Sequence, residues 1–365
     1  MFSNWFLKSF RILLFPFALL YGLVVIVRNW LYDKDIFKSA SFGLPLICVG
    51  NLSVGGTGKS PMVEYLVLHL KNHFKVATLS RGYKRKTKGF ALAGDTTTAL
   101  DIGDEPMQFH RHFPDVPVAV GEERLVAIPQ LLHDRPETEV IILDDAFQHR
   151  AVKAGLNILL TDCSNLFTQD FFLPTGDLRD QRSSYKRAQI IIVTKCPPNM
   201  PESERQEVIK EINPLPQQHI FFTTIAYGTP YHIAQKNFTY IDNQTEVLLV
   251  TGIANPQPLK TYIEERIETY HMMHYNDHHI FTIDDWKDIQ KRFQSMPAAR
   301  KIILTTEKDA MRFLKFEQEL TSLPFYVIPI QPAFLFNESE KFDDIVIKFI
   351  ENFKQPEAIY GTQKH

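Results

Sequence analysis

Cysteine is scarce in this chain: Cys48, Cys163 and Cys196 are the only three in 365 residues. The number is odd, no two form a C-x-x-C pair, and each lies in or beside a strand-like apolar run. A disulfide framework and a structural zinc site are disfavoured, and buried thiols in a reducing compartment remain. An excess of one charge sign is also missing. The formal net charge is −2 and 22% of residues are charged, so the composition does not suggest a nucleic-acid binder. Internal repeats and low-complexity segments are absent. Apolar material is plentiful, with 44% hydrophobic residues and 28 phenylalanines, enough to bury sizeable cores. The length suggests two domains of ordinary size.

Residues 12–27, ILLFPFALLYGLVVIV, carry no charge. Arg11 and Arg28 bracket them, Trp5, Phe6 and Phe10 precede them, and Trp30 and Tyr32 follow. As a helix the run reaches about 24 Å at roughly 1.5 Å per residue. A full membrane span needs about 20 residues, so the run is short, and Pro16 and Gly22 loosen it. A secretory signal would end in small residues, but Arg28-Asn29-Trp30 stands there. The aromatic and arginine flanks suit an anchor that enters one leaflet, and a buried core helix is the competing reading.

From about residue 44 apolar strands alternate with helices. PLICV (45–49), KVATLS (75–80), VPVAV (116–120), EVIILDD (139–145), LNILLTD (156–162), QIIIVTK (189–195) and HIFFTTI (219–225) read as buried strands. Such continuous apolar runs imply a parallel sheet covered on both faces. A second block holds TEVLLVTGI (245–253), RKIILTTEKD (300–309) and PFYVIPI (324–330), with helices near 257–265, 284–295 and 339–353. The expected architecture is α/β: a mostly parallel, P-loop NTPase-like sheet covered by helices, a smaller C-terminal α/β lobe and an N-terminal membrane-associated helix. The expected boundaries are 1–35 for the anchor, 36–228 for the P-loop core, 229–244 for a linker and 245–365 for the smaller lobe. A frayed tail is expected from about Gln355.

The octet Ser53-Val54-Gly55-Gly56-Thr57-Gly58-Lys59-Ser60 lacks one feature of a Walker A loop, since Ser53 replaces the first glycine. The rest is intact. The glycines let backbone N–H groups face phosphate oxygens, Lys59 reaches the β- and γ-phosphates, and the Ser60 hydroxyl is placed for Mg²⁺ at a helix N-terminus. Pro61 is tolerated in the first turn. EVIILDD ends in Asp144-Asp145, the form of a Walker B strand, whose carboxylates complete a Mg²⁺ site. ATP and Mg²⁺ are therefore the expected cofactors. Val193-Thr194-Lys195-Cys196-Pro197 lacks the aspartate of a guanine-reading motif, and Val54 stands where partition-type ATPases carry a signature lysine. A phosphotransferase acting on a small or lipid substrate remains.

The motifs also resemble a known family. Gly50-Asn51-Leu52 through Pro61 is similar to the phosphate loop of the tetraacyldisaccharide 4′-kinases of Gram-negative bacteria. Leu79-Ser80-Arg81-Gly82-Tyr83, Gly103-Asp104-Glu105-Pro106, Asp144-Asp145-Ala146-Phe147-Gln148-His149 and Leu173-Pro174-Thr175-Gly176-Asp177-Leu178-Arg179-Asp180 resemble its later motifs, with Ala146 for glycine and Asp180 for glutamate. Asp277-His278 and Thr305-Thr306-Glu307-Lys308-Asp309-Ala310 match two more. The motifs run in order from about residue 12 to 310. The resemblance implies transfer of the ATP γ-phosphate to the 4′-hydroxyl of a tetraacylated disaccharide 1-phosphate, in lipid A biosynthesis at the cytoplasmic face of the inner membrane.

A sugar hydroxyl has a high pKa, so a positioned base helps as the new bond forms. Asp104 is the candidate, by its place in G-D-E-P and by the resemblance, with Lys59 on the phosphates. The resemblance makes Asp277-His278 the helper, a carboxylate orienting an imidazole; the competing reading of His278 is structural. His278-His279 is not a metal pair, because neighbours on a strand face opposite ways. Arg81, Lys84, Arg85, Lys86 and Lys88 around Tyr83 read as a solvated loop or as contacts to the substrate 1-phosphate or anionic headgroups. Arg124, Gln148 and Arg179 are further candidate substrate contacts. The expected partners are the glycolipid and a membrane surface, with no nucleic acid and no obligate protein partner. The alternative class is a P-loop ATPase switch or chaperone, against which Val54 and Pro197 argue.

Overall fold

The computed structural model describes residues 11–277 and 279–353. Trp5, Phe6, Phe10, His278 and the tail from Gln355 lie outside them.

The large sheet has nine strands: β1 (Leu46–Asn51), β2 (Val76–Ser80), β3 (Ala91–Leu92), β4 (Val118–Val120), β5 (Val140–Asp144), β6 (Leu156–Asp162), β7 (Ile190–Thr194), β8 (His219–Tyr227) and β14 (Ile330–Phe334), in the order β14-β8-β7-β6-β1-β5-β2-β4-β3. The seven inner strands are parallel, and only the edge strands β3 and β14 run against their neighbours. Alternate residues of β1 enter opposite cores. Leu46 and Cys48 pack on one face, Ile47 and Val49 on the other, which is why the strand reads as an unbroken apolar run.

Helices cover both faces. We label them α1 (Phe15–Asp33), α2 (Lys59–Leu70), α3 (Asp104–His112), α4 (Arg124–Asp134), α5 (Glu202–Ile212), α6 (Gln257–Glu264), α7 (Ile283–Gln294), α8 (Glu307–Phe313) and α9 (Ser339–Glu351). The small sheet holds β9 (Tyr231–His232), β10 (Glu246–Thr251), β11 (Tyr270–His274), β12 (Lys301–Thr306) and β13 (Phe325–Ile328), in the order β11-β10-β12-β13-β9.

Three expectations change here. The stretch 229–244 contains β9, which pairs with β13, so part of the expected linker belongs to the small sheet. TTEKD is not all strand: β12 ends at Thr306, whose hydroxyl accepts from the Asp309 N–H and caps α8. The end of the chain leaves the smaller lobe. β14 pairs with β8, and α9 buries Phe342, Val346 and Ile350 in the large-sheet core. Burying each of those side chains is worth about 1.5–3 kcal/mol, which decides where the helix docks.

Helix α1 runs longer than the uncharged segment, 19 residues through Asp33. Pro16 sits in the first turn and breaks nothing. Gly22 is a packing notch: a Cβ there would come within 2.6 Å of the Phe172 ring. Ala18, Gly22, Val25 and Asn29 form the buried stripe. Leu19, Leu20, Leu23, Val24, Ile26 and Val27 face outward, each about half exposed or more.

Candidate active site

The connections β1→α2→β2 and β5→β6 leave the neighbouring strands β1 and β5 in opposite directions along the sheet, since β2 lies on one side of this pair and β6 on the other. In an open parallel sheet, ligands bind at the carboxyl ends of strands at such a switch point. The phosphate loop and the Asp144-Asp145 pair lie at that end.

The loop leaves β1 through Asn51, which is fully buried and a hub that sequence reasoning did not single out. Its Nδ2 donates to Thr57 Oγ1 at 2.8 Å, its carbonyl accepts from Gln148 Nε2 at 2.7 Å, and its Oδ1 accepts from Arg179 Nη2. An amide inside an apolar strand was the available signal. Gly55 and Gly58 adopt φ of +108° and +82°, which a side chain would strain. Gly58 precedes α2, whose first N–H groups have no helical partner and face an incoming anion. The loop is braced from outside as well. Val54 N–H donates to the Asp177 carbonyl at 2.7 Å, and Thr194 Oγ1 donates to the Thr57 carbonyl at 3.0 Å.

Lys59 Nζ stands 3.7 Å from Asp145 Oδ1. Burial lowers the Lys59 pKa from its ordinary value, and Asp145 opposes that shift. Asp145, in the left-handed region at φ +49°, is gripped by Arg179, with Nη1 donating to Oδ2 at 3.0 Å. Burial pushes the Asp145 carboxyl up, but Arg179 and Lys59 outweigh it and its pKa ends below the ordinary value. Its neighbour differs. Asp144 is buried, receives among the described residues only the Ser80 hydroxyl, at 3.2 Å on Oδ2, and is pushed up to about 6 by burial and then by the Asp145 charge. Asp144 is therefore the carboxylate short of positive charge. With the Ser60 hydroxyl and Asp145 it offers hard oxygen donors, a set suited to a magnesium ion.

This gives a signed expectation. A carboxyl that titrates near 6 folded and lower unfolded favours the fold below about pH 4 and loses that contribution as pH rises through 6. Asp144→Asn should therefore stabilise the cation-free protein at about pH 8, by no more than about 3 kcal/mol, with the gain vanishing near pH 4. Thermal unfolding without divalent cations checks it. Equal or higher wild-type stability at the upper pH would contradict the assignment.

Asp104 and Glu105 open α3, with Gly103 as its N-cap at φ +97°. The acids thus sit where the helix dipole favours negative charge. The Glu105 charge is felt by both Lys59 and Asp144. A Cβ on Gly103 would lie 3.0 Å from the Tyr83 carbonyl, so the R-G-Y loop abuts the G-D-E-P turn. Asp104 Oδ2 accepts from both Nε and Nη2 of Arg312 at 3.0 Å, a partner from the small sheet's side.

The other sequence-predicted residues separate. Arg81 and Tyr83 are exposed, on the loop that includes Lys84, Lys86 and Lys88 and lines a cavity of about 340 Å³ with Glu122. Arg124 is buried, 1% exposed, and donates to the carbonyls of Gly121 and Asp144, so it braces the end of β5 from within. Gln148 ties β5 to the phosphate loop. Asp277 is exposed on the loop after β11. That loop lies against Gly252, where a Cβ would come 3.0 Å from the Asn276 carbonyl. His279 stacks on Tyr275 and contacts Asp285 at 2.9 Å.

A phosphate loop on the first strand of a parallel sheet, with an Asp-Asp strand end beside it at the topological switch, defines a P-loop nucleotide-binding enzyme. The family model for tetraacyldisaccharide-1-P 4′-kinase matches residues 10–351. The chain belongs to the tetraacyldisaccharide 4′-kinase family. It is 46% identical to the tetraacyldisaccharide 4′-kinase of Flavobacterium johnsoniae, covering 95% of this chain and 99% of that one. It is 43% identical to that of Bacteroides thetaiotaomicron, covering 92% of each. The crystal structure of LpxK from Aquifex aeolicus in complex with ATP is similar over 93% of this chain and 99% of that chain, with a TM-score of 0.74 at 28% identity.

Proposed function

We propose that this kinase moves the γ-phosphate of ATP to the 4′-hydroxyl of a tetraacyldisaccharide 1-phosphate. The observation that carries the reading is the convergence of Lys59, Arg179, Asp144 and Asp145 on the mouth of the phosphate loop in a chain of this family. Phosphoryl transfer needs positioning and charge neutralisation more than covalent chemistry from the protein. The loop N–H groups and Lys59 hold the β- and γ-phosphates, with Lys59 exchanging Asp145 for phosphate oxygens. Ser60, Asp144 and Asp145 would hold a magnesium ion, which would neutralise phosphate charge when bound. Asp104 takes the proton of the acceptor hydroxyl, with the Asp277-His278 segment as its helper. Arg81 and Tyr83 line the acceptor side.

ADP release with and without the disaccharide lipid tests the reading. A kinase forms ADP only when the lipid is present, whereas a switch or chaperone ATPase releases it without the lipid.

Helix α1 works at the cytoplasmic surface of a bacterial inner membrane in this reading. Its buried stripe holds it to the enzyme while an outward band of Leu, Ile and Val is free to enter the lipid. The helix is long and apolar enough to cross a bilayer by length and composition. Asn29 Nδ2 donates to Asp180 at 2.7 Å and Tyr21 donates to the Arg179 carbonyl at 3.1 Å, so the anchor is bonded to the Arg179 loop itself. Replacing Leu19, Leu20, Leu23 and Val24 with glutamine leaves that stripe intact. Sedimentation with anionic vesicles should then fall at least about tenfold at unchanged thermal stability. Unchanged partitioning would contradict the anchor.

A further inference from the structure

Helix α8, which carries most of the Thr-Thr-Glu-Lys-Asp-Ala motif, enters the site as described so far only through Arg312. It packs antiparallel to α3, and the pairing is charged along its length. Glu307 at its start meets His112 at the end of α3, Oε1 to Nε2, at 3.3 Å. Lys308 meets Glu105 at 3.5 Å. Arg312 meets Asp104 at the beginning of α3. His112 also contacts Glu64 of α2 through Nδ1 at 3.0 Å, so the far end of α3 is tied to the phosphate-loop helix.

The Arg312 guanidinium is nearly buried and divides its donors. Nε and Nη2 reach Asp104 Oδ2, and Nη1 reaches Asp309 Oδ1 at 3.0 Å. Asp309 is fully buried, and its other oxygen accepts from Thr251 Oγ1 at 3.0 Å, Gly252 N–H at 2.9 Å and Thr306 Oγ1 at 2.9 Å. Gly252 is the residue packed against the loop that carries Asp277. One rigid planar fork thus links the Asp104 carboxylate to the end of β10 and, through it, to that loop.

We propose that Arg312 is a positioning residue for phosphoryl transfer: it orients the Asp104 carboxylate from the small sheet and, through Asp309, sets it in one frame with the Asp277 loop. This rests on the role of Asp104 as base given above. The acceptor side of the site is then complete only when α8 is seated on α3. The ATP side is built on β1, α2 and β5, and α8 meets it through Glu307 and His112 at Glu64, away from the phosphate loop. Arg312 acts through Asp104 and not on the nucleotide.

The test is a double-mutant cycle in the full chain with Asp104→Asn and Arg312→Gln. Arg312→Gln should lower kcat about thirtyfold and leave the ATP KM within about threefold, because a small misplacement of a catalytic group costs rate without costing nucleotide binding. Arg312→Lys keeps the charge but not the fork and should fall between wild type and Arg312→Gln, which also covers the case in which the glutamine variant folds poorly. In the Asp104→Asn background, Arg312→Gln should cost nothing further in kcat. Multiplied effects would overturn the positioning role and leave Asp104 as base, as would wild-type kcat in Arg312→Gln. Near-normal turnover of Asp104→Asn alone would remove the base itself and the proposal with it.

Discussion

Lys59→Met should lower kcat by about a hundredfold to a thousandfold, the usual cost of removing one preorganised donor from a developing charge. The reason lies in what surrounds the ammonium. Lys59 is largely buried, and burial lowers its pKa while Asp145 at 3.7 Å opposes that shift. Arg179 stands beside the same carboxylate. This places two cations at the mouth of the loop with one fully engaged acid between them, an arrangement that favours an incoming polyanion. Methionine keeps the bulk and removes the charge. The phosphate-loop N–H groups remain, so ATP should still bind, more weakly. Steady-state rates together with binding of a fluorescent nucleotide measure both terms. A kcat within tenfold of wild type would mean that Lys59 does not act on the transferred phosphate.

Asp104→Asn should lower kcat by about a thousandfold at a nearly unchanged ATP KM, within the range of general-base contributions. The substitution is isosteric and removes the proton acceptor. It also leaves the buried Arg312 guanidinium facing a neutral amide, so some stability should be lost with the activity. Asp104 belongs to α3 and not to the phosphate loop, which is why the nucleotide term should hold. Rates at saturating lipid and varied ATP separate the two. A raised ATP KM with kcat intact would assign Asp104 to nucleotide binding.

The parts of the fold that were legible in the sequence are those with a strong local pattern. β1, β5, β6 and β7 are continuous apolar runs because both faces are buried, and buried parallel strands look that way anywhere. β3 and β9 have two residues each and no period to detect. β11, Tyr-His-Met-Met-His, contains no β-branched residue and is only half-buried. β14 holds Pro332, which an edge strand tolerates and a central one does not. Helix α9 has a clear apolar stripe, but a stripe does not say which sheet it will cover.

The site divides in the same way. Lys59 is legible because phosphate chemistry fixes its spacing along one strand–loop–helix unit, and Asp144 and Asp145 because two acids end an apolar strand. Asn51, Ser80, Glu64 and Arg312 are single polar residues whose meaning comes from partners that the fold supplies. Arg312 and Asp104 are 208 positions apart. Arg124 illustrates the reverse case: its loop setting suggests an anion contact, but the fold turns it inward under Asp144.

The most direct measurement follows the label from ATP carrying a labelled γ-phosphate, incubated with this protein and tetraacyldisaccharide 1-phosphate. The account predicts label on the lipid, at the 4′ position, with a matching amount of ADP, and almost none on lipid with Asp104→Asn. Label recovered as free phosphate, with the lipid unlabelled, would contradict it.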